Sequence, residues 1–201
     1  FATPCLCRPF EFGANIIVHS TSKYIDGHAA SLGGIIVDGG NYNWDNGKFP
    51  QLVEPDDSYH GLSYTGTFGN MAYILRARAN LMRNIGATPS PMNAFLTNMG
   101  CETLHLRMER HSENALKLAK YLENHEMAAW VNYPGLESSK SYELTKKYLP
   151  NGASGVLSFG VKGGREAGKK FIDSLKMVAL VTHVADVRSC VLQPASTTHR
   201  Q

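Results

Sequence analysis

Apolar and polar positions alternate along the chain in blocks of two different periods. Asn15 to Val18 and Gly33 to Val37 are short β-branched runs bounded by turn residues, each about the length of a buried strand. Asp38 to Ser63 is rich in Gly, Asn, Asp and Pro and has little periodicity, so it reads as a long surface excursion. From Met71 the spacing changes. Met71, Ile74, Leu75, Leu81, Met82 and Ile85 fall on one helical face, Arg76 and Arg83 lie away from it, and Gly86 is placed to cap the C-terminus. Ser90-Pro91 reads as an N-cap followed by proline in the first turn, opening a helical region to about His125 that breaks near Gly100. Beyond it strands and helices alternate. Trp130 to Tyr133 is an expected strand, Ser141 to Tyr148 a helix and Val156 to Val161 a strand. Ala167, Phe171, Ile172 and Leu175 form the apolar face of another helix, and Met177 to Thr182 and Val187 to Leu192 are expected strands.

The pattern is that of an α/β protein, with a boundary marked by the long helical region between residues 86 and 125. At 201 residues, with 43% hydrophobic and 18% charged residues, the chain has the composition of a folded globular protein. The net charge is only +3 and the basic residues are scattered, unlike the basic stripe of a nucleic-acid binder. No apolar run approaches the roughly 18 residues of a membrane span. Cys5, Cys7, Cys101 and Cys190 show neither zinc-type pairing nor dense disulfide spacing, so no metal site is expected and free thiols in a reducing, cytoplasmic setting are. The N-terminal residues lack a signal-peptide profile, there is no initiator Met, and the chain stops on Thr197-Thr198-His199-Arg200-Gln201; it reads as an internal piece of a longer polypeptide.

Candidate chemistry concentrates between Ile16 and Gly34: a buried strand, then His19-Ser20-Thr21-Ser22-Lys23, then a Gly-rich turn into Gly33-Gly34-Ile35-Ile36-Val37. A lysine just past a buried strand end sits where side chains converge on a cleft. Ser20 and Ser22, three and one residues before it, can present hydroxyls to the same side. Hydroxyls and backbone amides suit a phosphate monoester. A lysine that attacks an aldehyde must be deprotonated, which a partly desolvated pocket favours. On spacing alone, an exposed lysine in a Ser/Thr loop fits equally well. Elsewhere, His28, His60 and His199 sit in polar loops, where hydrogen-bonding roles are expected. Arg107, amid apolar neighbours, suits a buried ion pair, while Tyr59 and Tyr64 read as packed surface aromatics on the long loop. Gly33 and Gly34 relieve backbone crowding.

Many ordered stretches resemble one family. They include Phe1-Ala2-Thr3-Pro4, His19-Ser20-Thr21-Ser22-Lys23-Tyr24-Ile25, Gly27-His28 with Ser31-Leu32-Gly33-Gly34, and Gly47-Lys48-Phe49-Pro50. Glu54-Pro55-Asp56, Ser58-Tyr59-His60-Gly61, Leu106-Arg107-Met108-Glu109-Arg110-His111 and Trp130-Val131-Asn132-Tyr133-Pro134-Gly135 continue the series. Phe159-Gly160-Val161-Lys162-Gly163-Gly164 and Pro194-Ala195-Ser196-Thr197-Thr198-His199 complete it. Through these the whole chain resembles the Cys/Met-metabolism family of pyridoxal-phosphate (PLP) enzymes.

The resemblance implies fold type I, aspartate aminotransferase-like. Residues 1–100 would be the C-terminal part of the PLP-binding large domain, and 101–201 the linking helix and most of the small C-terminal α/β domain. It implies pyridoxal 5'-phosphate as cofactor, joined to Lys23 as a Schiff base, with Ser20 and Ser22 contacting the phosphate; the family commonly has Thr at the position of Ser22. The loop from Gly47 to Gly61 resembles that of the sulfide-adding branch more than that of the cystathionine lyases and synthases. The implied reaction is γ-replacement, O-acetyl-L-homoserine plus sulfide giving L-homocysteine and acetate, in a homodimer or homotetramer with no nucleic-acid or membrane partner; the alternatives are a cystathionine γ-synthase or γ-lyase of the same family, or a non-catalytic assembly fragment. Two departures stand out. His183-Val184-Ala185-Asp186 replaces a Ser-Leu-Gly-Gly stretch of the cystathionine-handling relatives, which puts their substrate contacts in doubt here. The acid for the pyridine nitrogen, the main phosphate-binding glycine loop and the aromatic that stacks on the ring are expected before Phe1, and the substrate-carboxylate arginine after Gln201. The isolated chain is therefore expected to be inactive.

Overall fold

A computed structural model describes residues 1–199. In chain order it comprises α1 (Thr3–Leu6), β1 (Ile16–Ser20), a π-helical turn (Thr21–Ile25), β2 (Gly34–Asp38), α2 (Pro50–Val53), α3 (Tyr64–Phe68), α4 (Ala72–Arg76) and α5 (Arg83–Ile85). Then follow α6 (Pro91–Glu102), α7 (Leu104–Glu123), β3 (Ala128–Asn132), α8 (Tyr142–Tyr148), β4 (Ser158–Val161), α9 (Gly164–Ser174), β5 (Ala179–Leu180) and β6 (Cys190–Val191). β1 pairs with β2, β3 with β4 antiparallel, and β5 with β6 in parallel.

The chain forms two compact units, one of residues 9–19 and 34–91, the other of 1–8, 20–33 and 92–201. In the first, Trp44, Leu52, Tyr64 and Ala72 are buried together, with Tyr42, Phe49 and Tyr73 packed around them. Trp44 stacks on Tyr73 at 5.0 Å and 9°, and meets Tyr42 and Phe49 edge-on. The unpatterned stretch from Asp38 is thus held by an aromatic cluster, whose members follow no repeat. Tyr64 is fully buried, not on the surface as expected, and its hydroxyl donates to Asp56 at 3.3 Å. Asp56 also accepts from Ser58 and from Asn80, which keeps its carboxyl below the ordinary range.

The expected helix from Met71 to Gly86 forms with a π-helical segment, Ala77–Met82, inside it. Gly86 closes it in the left-handed region at φ 74°, a conformation that suits glycine. Its burial departs from the expected face. Ala72 is the buried residue, Met71, Leu81 and Ile85 are exposed, and Arg76 lies half-buried with its guanidinium 5.8 Å from the Tyr64 ring. The π-helical segment shifts the register of side chains around the axis, so a 3.6-residue period does not carry through it.

In the second unit, Leu6, Tyr24, Ile25, Leu104, Met108 and Ala185 form one core; Ala115, Ala119, Tyr133, Leu136 and Ala153 form another along α7. The long helical region breaks near Gly100 as expected, at Thr103. Gly100 lies inside α6 because a Cβ there would come within 2.6 Å of the Asp26 carbonyl oxygen; it is a site of close backbone approach. The two strands expected after residue 176 shrink to the residue pairs of β5 and β6. Between them, residues 181–189 form a loop organised by Asp186, with Ala185 buried at φ 75°.

Candidate cofactor site

β1 delivers the chain to Ser20, and the backbone then coils into a single wide turn. Asp26 N donates to Thr21 O at 2.9 Å and Gly27 N to Lys23 O at 2.8 Å. Within the turn Lys23 has φ −98° and ψ −138°, outside helical values. Lys23 is half-buried, Ser22 half-buried and Ser20 exposed, so an amine and a hydroxyl meet solvent at a strand end next to a packed core. Thr21, Tyr24 and Ile25 are the buried residues of the turn and anchor it.

The strand returning toward β2 brackets the turn. Thr21 N donates to Gly33 O at 3.0 Å, while Ser22 Oγ accepts from Gly33 N at 2.9 Å and donates to Gly33 O at 3.3 Å. A Cβ on Gly33 would come within 2.7 Å of Thr21 Oγ1, so crowding requires glycine there. At Gly34 the corresponding distance, 3.4 Å to His19 O, is ordinary contact.

On the core side, Tyr24 packs against His111 with ring centroids 5.0 Å apart. Burial raises the Tyr24 hydroxyl pKa and lowers that of His111, the latter helped by the neighbouring Arg107 cation. Arg107 is not the ion-pair residue expected. It donates to the carbonyls of Tyr24 (2.7 Å), Ile25 (3.3 Å) and Gly100 (2.6 Å), and from Nε to Thr103 Oγ1 (3.1 Å). Burial lowers its pKa, and the nearby Asp26 acts in the opposite sense. The Asp26 carboxylate is almost wholly buried and accepts from Ala30 N at 2.9 Å and His28 N at 3.3 Å. His28 makes the expected structural contact, Nδ1 to Asp26 O at 2.7 Å.

The loop with the unfamiliar His183-Val184-Ala185-Asp186 stretch fastens to this turn through Val187 N, which donates to Gly27 O at 2.8 Å. Arg188 clasps Asp186 with its backbone N (2.9 Å), Nε (3.1 Å) and Nη2 (2.8 Å), which takes the Asp186 pKa down to about 2. The sequence pattern alone does not mark Asp26, Arg107 or Asp186 as parts of the site. Asp26 could have been read as a side-chain-to-backbone turn from Asp-Gly-His, but the other two act through partners distant in sequence or through a loop with no period.

The donor set fits pyridoxal phosphate. It offers a half-buried primary amine for an aldehyde, the hydroxyls of Ser20 and Ser22 in the same short stretch for a phosphate, and a glycine where a side chain would crowd the turn.

The architecture and this turn define a fold type I PLP enzyme. The profile of the Cys/Met metabolism PLP-dependent enzymes matches residues 1–201, and the chain belongs to that family. It is 49% identical to the O-acetyl-L-homoserine sulfhydrylase of Leptospira meyeri over 99% of this chain and 47% of that protein. With the homocysteine synthase of Schizosaccharomyces pombe the identity is 48%, over 98% of this chain and 46% of the relative. The chain thus spans about half the length of the curated relatives it matches. A Campylobacter jejuni structure described as an O-acetylhomoserine (thiol)-lyase, carrying a pyridoxyl-lysine phosphate, superimposes with a TM-score of 0.93 at 39% identity, covering 100% of this chain and 48% of that one. For the cystathionine γ-synthase of Xanthomonas oryzae the TM-score is 0.73 at 31% identity, over 98% and 42% of the two chains.

Proposed function

We propose that the whole protein catalyses γ-replacement, converting O-acetyl-L-homoserine and sulfide to L-homocysteine and acetate. The observation that carries this reading is the half-buried Lys23 amine in the turn that follows β1, three and one residues after Ser20 and Ser22, in a chain 49% identical to a sulfhydrylase. The closer superposition on the thiol-lyase than on the cystathionine synthase favours sulfide over cysteine as the nucleophile.

In this reading Lys23 Nζ is the covalent anchor of the cofactor. Bound there, pyridoxal phosphate supplies an electron sink for charge developing beside the substrate amino group. With substrate bound, Lys23 Nζ would serve as general base for the α-proton and would hold and return protons along the substrate while acetate leaves and sulfide adds. The Ser20 and Ser22 hydroxyls donate to the phosphate, Ser22 exchanging its 3.3 Å bond to Gly33 O for the stronger acceptor. Residues 1–100 complete the cofactor-binding domain, and 101–201 supply the linking helices and part of the small domain. The reading extends to a homodimer or homotetramer working in the cytoplasm on small molecules; among the described residues no helix is long and apolar enough to cross a membrane.

Borohydride reduction of the full-length holoprotein followed by peptide mapping tests the anchor. The label is expected on Lys23, and a label on another lysine refutes it. Product analysis with O-acetylhomoserine, O-succinylhomoserine and cystathionine, each with and without sulfide, tests the reaction. Homocysteine formed only from the acetyl ester and only with sulfide is the expected result.

A further inference from the structure

The geometry points to Arg107 as a positioning residue for Lys23, acting with Asp26 to fix the backbone that carries the amine; this rests on the reading of Lys23 as cofactor anchor. The turn Thr21–Ile25 is a single coil, so its last carbonyls have no helical N–H groups ahead to donate to them. Gly27 N and Asp26 N close the first part, onto Lys23 O and Thr21 O. The next two carbonyls, of Tyr24 and Ile25, are taken by Arg107, reaching from 83 and 82 residues away in sequence. The same guanidinium holds Gly100 O, so α6, α7 and the turn share one planar group.

Two glycines make room for it. A Cβ on Gly27 would lie 2.8 Å from Arg107 Cζ, and Gly27 has φ +73°. Gly100 lets the α6 backbone come down on Ile25 and Asp26. Asp26 secures the far side, accepting from the amides of His28 and Ala30. The backbone from Tyr24 to Ala30 is thus held by a cation on its carbonyls and a carboxylate on its amides. Lys23, whose own φ and ψ are not helical, is the residue where that rigidity bears on chemistry. A lysine in place of Arg107 offers a compact point charge, not a planar fork, and can satisfy fewer of these carbonyls at once.

The experiment is a double-mutant cycle on cofactor affinity in the full-length protein, crossing Arg107→Ala with Lys23→Ala and following pyridoxal phosphate by absorbance and equilibrium dialysis. Circular dichroism monitors the fold. With Lys23 present, Arg107→Ala is expected to weaken cofactor affinity at least tenfold; with Lys23→Ala, less than twofold. Arg107→Lys is expected to recover part of the loss with Lys23 present, and it carries the same cycle if Arg107→Ala does not fold. Equal losses in both backgrounds, or no loss in either, overturn the positioning role. A Lys23→Ala protein that keeps a borohydride-reducible cofactor overturns the anchor assignment instead, which separates the two failures.

Discussion

Replacing Gly100 by alanine sets two effects of opposite sign against each other. Gly100 lies within α6, and in a helix interior glycine is about 1 kcal/mol worse than alanine, so propensity favours the substitution. Packing opposes it. The added Cβ would press hardest on Ile25 O and would also lie 2.6 Å from Asp26 O and 3.0 Å from Asp26 Cα, against an ordinary contact of 3.4 Å, so α6 must retreat by about 1 Å. The neighbours are backbone and cannot swing aside. Overpacking of this kind costs about 1–3 kcal/mol. The retreat also stretches the 2.6 Å bond from Arg107 to Gly100 O, a charge-assisted bond worth about 1.5–3 kcal/mol. Even with only part of that bond lost, the balance is a destabilisation of about 2 kcal/mol. Urea unfolding of the full-length Gly100→Ala protein, followed by circular dichroism, measures it. A midpoint equal to or above wild type would mean that helix propensity wins, and the close approach of α6 to the turn would have to be wrong.

Ser22→Ala removes a hydroxyl that holds Gly33 and is proposed to reach the phosphate; cofactor affinity should fall roughly tenfold to a hundredfold, with turnover of the saturated enzyme changing less. Unchanged affinity with collapsed turnover contradicts the assignment. Met108→Ala empties a fully buried site beside Tyr24 and should cost about 2–5 kcal/mol in urea unfolding, whereas a loss below 1 kcal/mol would place Met108 outside the core. Asp186 has its pKa depressed from 3.8 to about 2 by Arg188, so it stabilises the fold above pH 4 and that contribution disappears as pH falls toward 2. Urea midpoints measured across this window should fall less steeply in Asp186→Asn; identical slopes refute the linkage.

The sequence is most informative where a local rule coincides with tertiary packing. Gly86 and Pro91 mark helix ends through backbone constraints that no neighbour overrides, and both ends lie where expected. The strand–turn–strand run around Lys23 is legible because β-branched residues, hydroxyls and paired glycines follow one another within twenty residues or so. Longer-range features are not legible in this way. Arg107 reads as a buried ion-pair residue, and its actual partners, the carbonyls of Tyr24 and Ile25, come into view only when the fold brings them beside it. Tyr64 sits in a polar stretch, yet it is buried because Asp56 and Asn80 supply polar partners for its neighbourhood. Val187 to Leu192 has strand composition, but Asp186 turns the preceding backbone, leaving only Cys190 and Val191 to pair.

The chain's two tryptophans fall one in each compact unit and in opposite surroundings. Trp44 is sealed in the aromatic cluster against Tyr73, while Trp130, at the strand beside α9's partner β4, is 55% exposed. Intrinsic emission is therefore a unit-specific optical signal. Loosening of residues 34–91 carries Trp44 from an apolar cage into water and red-shifts its spectrum, whereas Trp130 already emits from a wet environment and changes little. A Trp130→Phe protein would isolate the first signal. Compared with far-ultraviolet dichroism dominated by α6 and α7, it would reveal whether the two units melt as one cooperative body or in succession.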